Sequence, residues 1–186
     1  GFTVIKDKLG NFNYTMARIA YAYHIPLNGG ISTLGIGPEL GILQASVEHN
    51  WVAPDASNGL LDPSIPNAYV NEKTYDLGFG MYYRAPNAHI GISVSHLPGK
   101  AEHLTATEFD YKLTQHYYVS AGYDFEPSRD LKVRSSVFMK SDAAVTAIDL
   151  HCDLLYQNFI WGGLSYRLQD AIAPVLGVAF SPNKTS

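Results

Sequence analysis

The feature that most constrains this sequence is an alternation of apolar and polar residues in segments of about ten residues. From Tyr75 to Arg84 the odd-numbered positions are all apolar or aromatic, and the even-numbered positions, apart from Tyr82, are glycine or charged. Because successive side chains of a β-strand point to opposite faces, we predict strands with one apolar and one polar face. The alternation recurs in 89–95, 113–125, 131–140, 144–156, 160–167 and 172–180.

Strands of this kind fit either a soluble β-sandwich or an outer-membrane barrel. The polar positions hold Gly, Ser and Tyr beside charges of both signs, which suits a hydrated lumen better than an outer surface rich in Lys and Glu. Connections also alternate in length, with long links at 50–70 and 98–112 and short ones at 85–87 and 126–130. We therefore predict an all-β, antiparallel, up-and-down transmembrane β-barrel of about ten strands.

We expect a single domain over residues 1–186, because no low-complexity segment and no repeat beyond the hairpin rhythm interrupts the pattern. About ten strands could close into a barrel by themselves. The pattern begins directly at Gly1, however, so a partial chain of a larger barrel is also expected. Aromatic residues cluster near the predicted strand ends, as in the girdles of membrane barrels, although tyrosine is also a good strand former. These residues are Tyr21, Tyr23, Trp51, Tyr82, Tyr83, Tyr117, Tyr118, Phe159 and Trp161.

Composition excludes several other classes of protein. Thirteen Lys and Arg against seventeen Asp and Glu give a net charge of −4, which argues against a nucleic-acid partner. The single cysteine, Cys152, excludes a disulfide framework, and its place in the pattern predicts a small hydrophobic residue on the lipid-facing side. No apolar run reaches the ~18 residues that a membrane-spanning helix needs.

Asp149, His151 and Asp153 occupy alternate positions of one predicted strand, so their side chains share a face. Carboxylate and imidazole groups at this spacing can bind a metal ion. Alternatively, the three residues line a polar lumen and form hydrogen bonds with basic residues of neighbouring strands. We favour this alternative and expect no metal and no cofactor, because no second histidine-rich segment offers further ligands. The basic residues expected to take part are Lys132, Arg134, Lys140 and Arg167.

The motifs of hydrolases and nucleotide-binding enzymes are missing from this sequence. No Gly-x-Ser-x-Gly elbow occurs, and the glycine pairs at 35–37 and 78–80 lie inside predicted strands with no helix after them. A barrel enzyme would have to depend on His116 or His151. We therefore expect a protein that is not an enzyme.

Several strings, in this order, carry a family resemblance. Residues 116–123 read His-Tyr-Tyr-Val-Ser-Ala-Gly-Tyr, 130–134 read Asp-Leu-Lys-Val-Arg, and 161–171 read Trp-Gly-Gly-Leu-Ser-Tyr-Arg-Leu-Gln-Asp-Ala. The series resembles the PorP/SprF family of Bacteroidetes outer-membrane proteins over nearly the whole chain. One departure is Ser135-Ser136, where the family often has a Pro-Ser pair.

The resemblance implies an outer-membrane role in type IX secretion and gliding. Members help to export large proteins, including adhesins, and hold them at the cell surface through their C-terminal domains. Expected partners are therefore such a C-terminal domain, other type IX components and outer-membrane lipid. A passive porin or small-solute channel of similar architecture is the alternative. The candidate partner-binding residues, each of which could instead be structural, are Tyr118, Asp149, Trp161 and Arg167.

Overall fold

The computed structural model describes residues 1–48, 70–99, 101–103, 110–112 and 114–179. In these ranges the regular structure is β-strand, with one 3-10 turn at Asn28–Gly30. None of the helices described there is long and apolar enough to cross a membrane. The strands are β1 Phe2–Leu9, β2 Phe12–Ala20, β3 Tyr23–Leu27, β4 Ser32–Val47, β5 Val70–Arg84, β6 Ala88–Ser95, β7 Ala101–His103, β8 Asp110–Lys112, β9 His116–Ser128, β10 Leu131–Ser141, β11 Thr146–Tyr156, β12 Ile160–Arg167 and β13 Ala171–Val178.

Eleven of these strands form one sheet in the order β1-β2-β4-β5-β6-β9-β10-β11-β12-β13, with β3 paired to β4. The sheet is an antiparallel meander, which confirms the all-β, antiparallel part of the prediction. Strands β7 and β8 form a separate antiparallel pair. Among the described strands β1 and β13 each pair with a single neighbour, so this sheet is not closed into a barrel.

The short connections explain how the meander turns. Gln157 and Asn158 both have positive φ, and the N–H of Phe159 donates to the carbonyl of Tyr156 at 3.0 Å. This is the geometry of a type I′ turn, whose twist matches that of the strands it joins. The predicted short link at 126–130 is shorter still, because β9 continues to Ser128.

The two predicted long links have different outcomes. The segment 50–70 lies outside the described residues, except for Val70 at the start of β5, and so does the predicted rim residue Trp51. The segment 98–112 contains the β7–β8 pair.

The chain divides into two compact units. The first comprises 1–22, 37–79 and 95–115, and the second 23–36, 80–94 and 116–186. The single domain over residues 1–186 stays a prediction.

In the second unit the apolar strand faces are uncovered. Leu176 is 86 % exposed and Ile172 is 68 % exposed, while Asp153 on the opposite face is 2 % exposed. Water-soluble domains have the reverse arrangement, with aliphatic side chains inside and charges outside. Further exposed members of this apolar face are Tyr123, Phe125, Leu150, Leu154, Leu164, Tyr166 and Val178.

The first unit has a small covered core beside a large uncovered apolar surface. Met16 and Leu43 face each other across β2 and β4, and both are buried. Tyr14 and Ala45 pack against them. Large apolar side chains that remain exposed here include Phe2, Val4, Ile19, Leu40, Ile42, Tyr75 and Leu77.

Candidate functional site

Strand register in the second unit gathers polar residues of β9 to β12 on one face. Directly opposed residues of an antiparallel pair point to the same side of the sheet. The predicted triplet Asp149, His151 and Asp153 therefore shares its face with its cross-strand neighbours, and we call this face the polar face. Those neighbours are Phe138 and Arg167 for Asp149, Ser136 and Ser165 for His151, and Arg134 and Gly163 for Asp153.

Asp153 is held by an arginine of the adjacent strand. The Nε atom of Arg134 donates to both carboxylate oxygens of Asp153, at 2.9 and 3.2 Å, and its Nη2 also donates to Oδ2. His151 Nε2 lies 3.5 Å from Asp153 Oδ1, and the Arg134 guanidinium lies 5.8 Å from the centroid of the Trp161 ring. Gly163 faces Asp153 without a side chain, which leaves room for this buried charge to be paired.

Asp149 forms the second ion pair of this face. Arg167 donates to its two oxygens, from Nε at 2.7 Å and from Nη2 at 3.2 Å. The predicted hydrogen bonds between the triplet and neighbouring strands are thus confirmed for Arg134 and Arg167. They are wrong for Lys132 and Lys140, because these lysines lie opposite Leu155 and Ala147 on β11, where no carboxylate is available. Among the described residues, no three His, Cys, Asp or Glu side chains are arranged so that they could hold a metal ion together.

Aromatic rings lie on the polar face near the turn 142–145. The Tyr118 ring stacks on Phe138 at 6.2 Å and on His116 at 6.3 Å. We call His116, Tyr118 and Phe138 the aromatic platform. Lys140 Nζ lies 6.0 Å from the Tyr118 ring, and Lys140 is directly opposite Tyr118 in the β9–β10 register.

Three of the four predicted partner-binding residues lie close together in this register. Tyr118 is opposite Lys140, and Asp149 is opposite both Phe138 and Arg167. Trp161 lies instead at the start of β12, beside the turn 157–159 and therefore at the other end of these strands. Its ring is on the polar face over Arg134, so it does not take the lipid-facing position expected of a girdle residue.

A pocket of about 370 Å³ opens on the polar face at that other end. Two of its aromatic side chains lie over glycines: the His89 ring covers Gly122, and the Trp161 ring covers Gly177. A Cβ on Gly177 would lie 2.5 Å from ring atoms of Trp161. The pocket is lined by His89, Asp124, Arg134, Ser135, Ser136, His151, Asp153, Trp161 and Val175.

Lys132 shows how the charges around the pocket are balanced. Its Nζ lies 2.9 Å from Asp124 and 3.6 Å from Glu126. Since Arg134 is paired with Asp153, both cations of β10 at this end have carboxylate partners. The charged groups beside the pocket are thus already engaged with one another.

The family model for the type IX secretion system membrane protein PorP/SprF matches residues 1–184. The chain belongs to the PorP/SprF family. A comparison with curated proteins found no match.

Membership agrees with the exposure of the apolar strand faces. A PorP/SprF protein is a membrane protein of the type IX secretion system, and side chains such as Leu176 and Ile172 require an apolar environment. Cys152 is exposed on the same face, as predicted from the alternation. The family's description is that of a secretion component and not of an enzyme.

The turn 142–145 of this PorP/SprF protein is closed by its own aspartate. Asp142 Oδ1 accepts hydrogen bonds from the N–H groups of Val145, at 2.7 Å, and Ala144, at 3.0 Å. These bonds favour the ionised form, the one from Val145 most, and so lower the pKa of the Asp142 carboxyl. The sequence does not distinguish Asp142 from other loop carboxylates, because these bonds depend on the geometry of the turn.

The first unit contains a buried carboxylate that the alternation placed on the polar side of β5. Asp76 is 2 % exposed, with Arg18 Nη2 at 3.2 Å and His96 Nδ1 at 3.0 Å. Arg18 also lies 3.1 Å from Glu39. Gly41 lies against both Arg18 and Asp76, where a Cβ would come within 3.2 Å of each side chain. The long sequence separation of these residues explains why the cluster was not predicted.

Proposed function

We propose that this PorP/SprF protein is a non-enzymatic outer-membrane β-barrel that supports the export of large proteins or adhesins. It anchors them at the cell surface by binding their C-terminal domains. The observation that carries the proposal is the inverted distribution of side chains, with Leu176 and Ile172 uncovered and Asp153 covered. An apolar surface of this extent requires an apolar environment, and for a membrane protein of the type IX secretion system that environment is lipid.

Closure of the sheet follows from the same argument. A bilayer offers no hydrogen-bond partners to the free edges of β1 and β13, and each unsatisfied backbone group there costs several kcal/mol. A spanning sheet must therefore be part of a closed barrel. Strand-borne spanning of this kind is typical of outer membranes, which supports the proposed localisation.

The polar face supplies the binding surface in this proposal. The ion pairs Arg134–Asp153 and Arg167–Asp149 join three successive strands, β10 to β12. Because these contacts fix the side chains before a partner arrives, binding loses less conformational entropy. Tyr118, Asp149 and Arg167 are the proposed contacts near the turn 142–145. Trp161, the fourth candidate, lies at the opposite end, where we give it a structural role through its contact with Arg134.

Purification from the native envelope in mild detergent tests the proposal. We expect the tagged full-length protein to retain the C-terminal domain of a secreted protein together with other type IX components. A strain without the protein should release the adhesin into the medium. Continued surface display in that strain would contradict the proposal, and ion conductance in planar bilayers without any retained protein would favour the passive porin.

A further inference from the structure

We propose that the aromatic platform and Lys140 form a docking site for an acidic, aromatic peptide segment of the secreted partner. This inference rests on the proposed function and specifies the chemistry of the partner. An aromatic side chain of the segment packs on Phe138 and Tyr118, and a neighbouring carboxylate pairs with Lys140.

Phe138 supplies the apolar part of the site. It lies on the polar face between Ser120 and Asp149, yet 42 % of the residue is exposed. The Tyr118 ring, 6.2 Å away at an interplanar angle of 28°, extends the same surface. Aromatic groups held in place and left exposed are the usual anchors of protein interfaces, since they bury a large area at a small cost in conformational entropy.

Lys140 supplies the charge. No carboxylate in the described part of the second unit pairs with this exposed ammonium group, whose near neighbour is the Tyr118 ring. Lys132 on the same strand has Asp124 at 2.9 Å, and Arg167 has Asp149 at 2.7 Å. A carboxylate from a partner would therefore pair with Lys140, whereas a basic segment would be repelled by it.

The position of the site makes it accessible from one end of the strands. Lys140 is followed only by Ser141 before β10 ends, and Arg167 is the last residue of β12. A peptide segment can thus reach Phe138 without passing along the full length of the polar face. The pocket beside Trp161, in contrast, lies at the other end. Arg134, which lines it, and the neighbouring Lys132 are already paired.

Binding of labelled peptides to the purified full chain in detergent micelles tests the site. The probes are fluorescein-labelled peptides of alternating Asp and Phe, of Asn and Phe, and of Asp and Leu, with fluorescence anisotropy as the measurement. We expect the Asp-Phe peptide to bind most tightly. Lys140→Gln should weaken its binding about tenfold or more, and should leave the Asn-Phe peptide unaffected. Phe138→Leu should weaken the binding of both aromatic peptides.

Lys132→Gln is the matched control, because it removes the same charge from the same strand at a lysine that already has a partner. Circular dichroism and resistance to urea establish that each variant is folded. The inference is overturned if Lys132→Gln and Lys140→Gln have equal effects, if neither has an effect, or if the Asp-Phe peptide does not bind.

A cellular measurement separates this inference from the proposed function. We expect the double variant Lys140→Gln, Phe138→Leu to reach the membrane and to release the adhesin. Normal display by that variant, in a background where deleting the whole protein releases the adhesin, would overturn the docking site alone. Normal display after complete deletion would overturn the proposed function itself.

Discussion

Arg134 and Asp153 lie directly opposite each other on β10 and β11, and the guanidinium donates to both oxygens of a carboxylate that is almost wholly buried. The Trp161 ring lies over the same guanidinium. A charge removed from water is tolerated only while its partner is present. The pair therefore couples β10, β11 and β12 at the end of the sheet where the pocket opens.

Removing this arginine should weaken the fold considerably. Arg134→Gln leaves Asp153 buried without its cation, and we expect a loss of about 3 kcal/mol in the free energy of unfolding. Urea titration in detergent micelles measures the loss. Arg167→Gln is the control, because its pair with Asp149 is more exposed and should contribute much less. Equal losses for the two variants would contradict the structural role given to Asp153.

Glycines below aromatic rings should not tolerate a side chain. Gly177→Ala places a Cβ 2.5 Å from the Trp161 ring, so we expect a loss of about 1–3 kcal/mol and a shifted tryptophan emission. Gly80→Ala is the control, since its nearest neighbour, Ser93 Cβ, would be 3.4 Å away. Unchanged stability of Gly177→Ala would show that the ring can move aside freely.

Acid should remove the stabilising contribution that Asp142 makes to the turn 142–145. The pKa of Asp142 is lower in the folded chain than in the unfolded chain, so the carboxylate contributes stability above the unfolded value of about 3.9. That contribution is lost as the pH falls through the folded pKa. Asp142→Asn keeps an oxygen acceptor but cannot ionise. Its stability difference from the wild type should therefore shrink towards low pH, and a difference independent of pH would argue against the assignment.

The effect of substituting a candidate partner contact should depend on its position along the strands. Tyr118→Ala removes part of the aromatic platform, and we expect it to reduce adhesin retention in the cell. Trp161→Ala should lower the free energy of unfolding, through its contact with Arg134, and leave retention unchanged. Quantifying the adhesin on cells and in the medium checks both variants. Loss of retention in Trp161→Ala alone would move the partner site to the pocket.

Strand faces were the part of this fold most readily predicted from sequence. In β5 the alternation placed Leu77 on the apolar face and Asp76 on the polar face, and their exposures agree. A two-residue period is a local property, so the sequence of each strand is enough to predict which residues lie on which of its faces. What it cannot report is the neighbour across the ladder, which is why the burial of Asp76 beside Arg18 was missed.

The aromatic platform shows the same limit at the candidate site. An even position in β10 assigns Phe138 to the polar face, but only the register with β9 brings it against Tyr118. Register also determines which lysine forms an ion pair. Lys132 lies beside the Asp124 carboxylate, while Lys140 lies beside the Tyr118 ring. The ion pair of Asp149 was foreseeable because the sequence offered few cations on that face, and Arg167 was one of them.

The uncovered leucine at position 176 also bears on how such a chain survives before it reaches a bilayer. Before the chain inserts into lipid, exposed apolar strand faces of this kind would aggregate with those of other chains in an aqueous compartment. Delivery to the membrane therefore requires a chaperone that covers these strands during transport and releases them where lipid acyl chains can take its place.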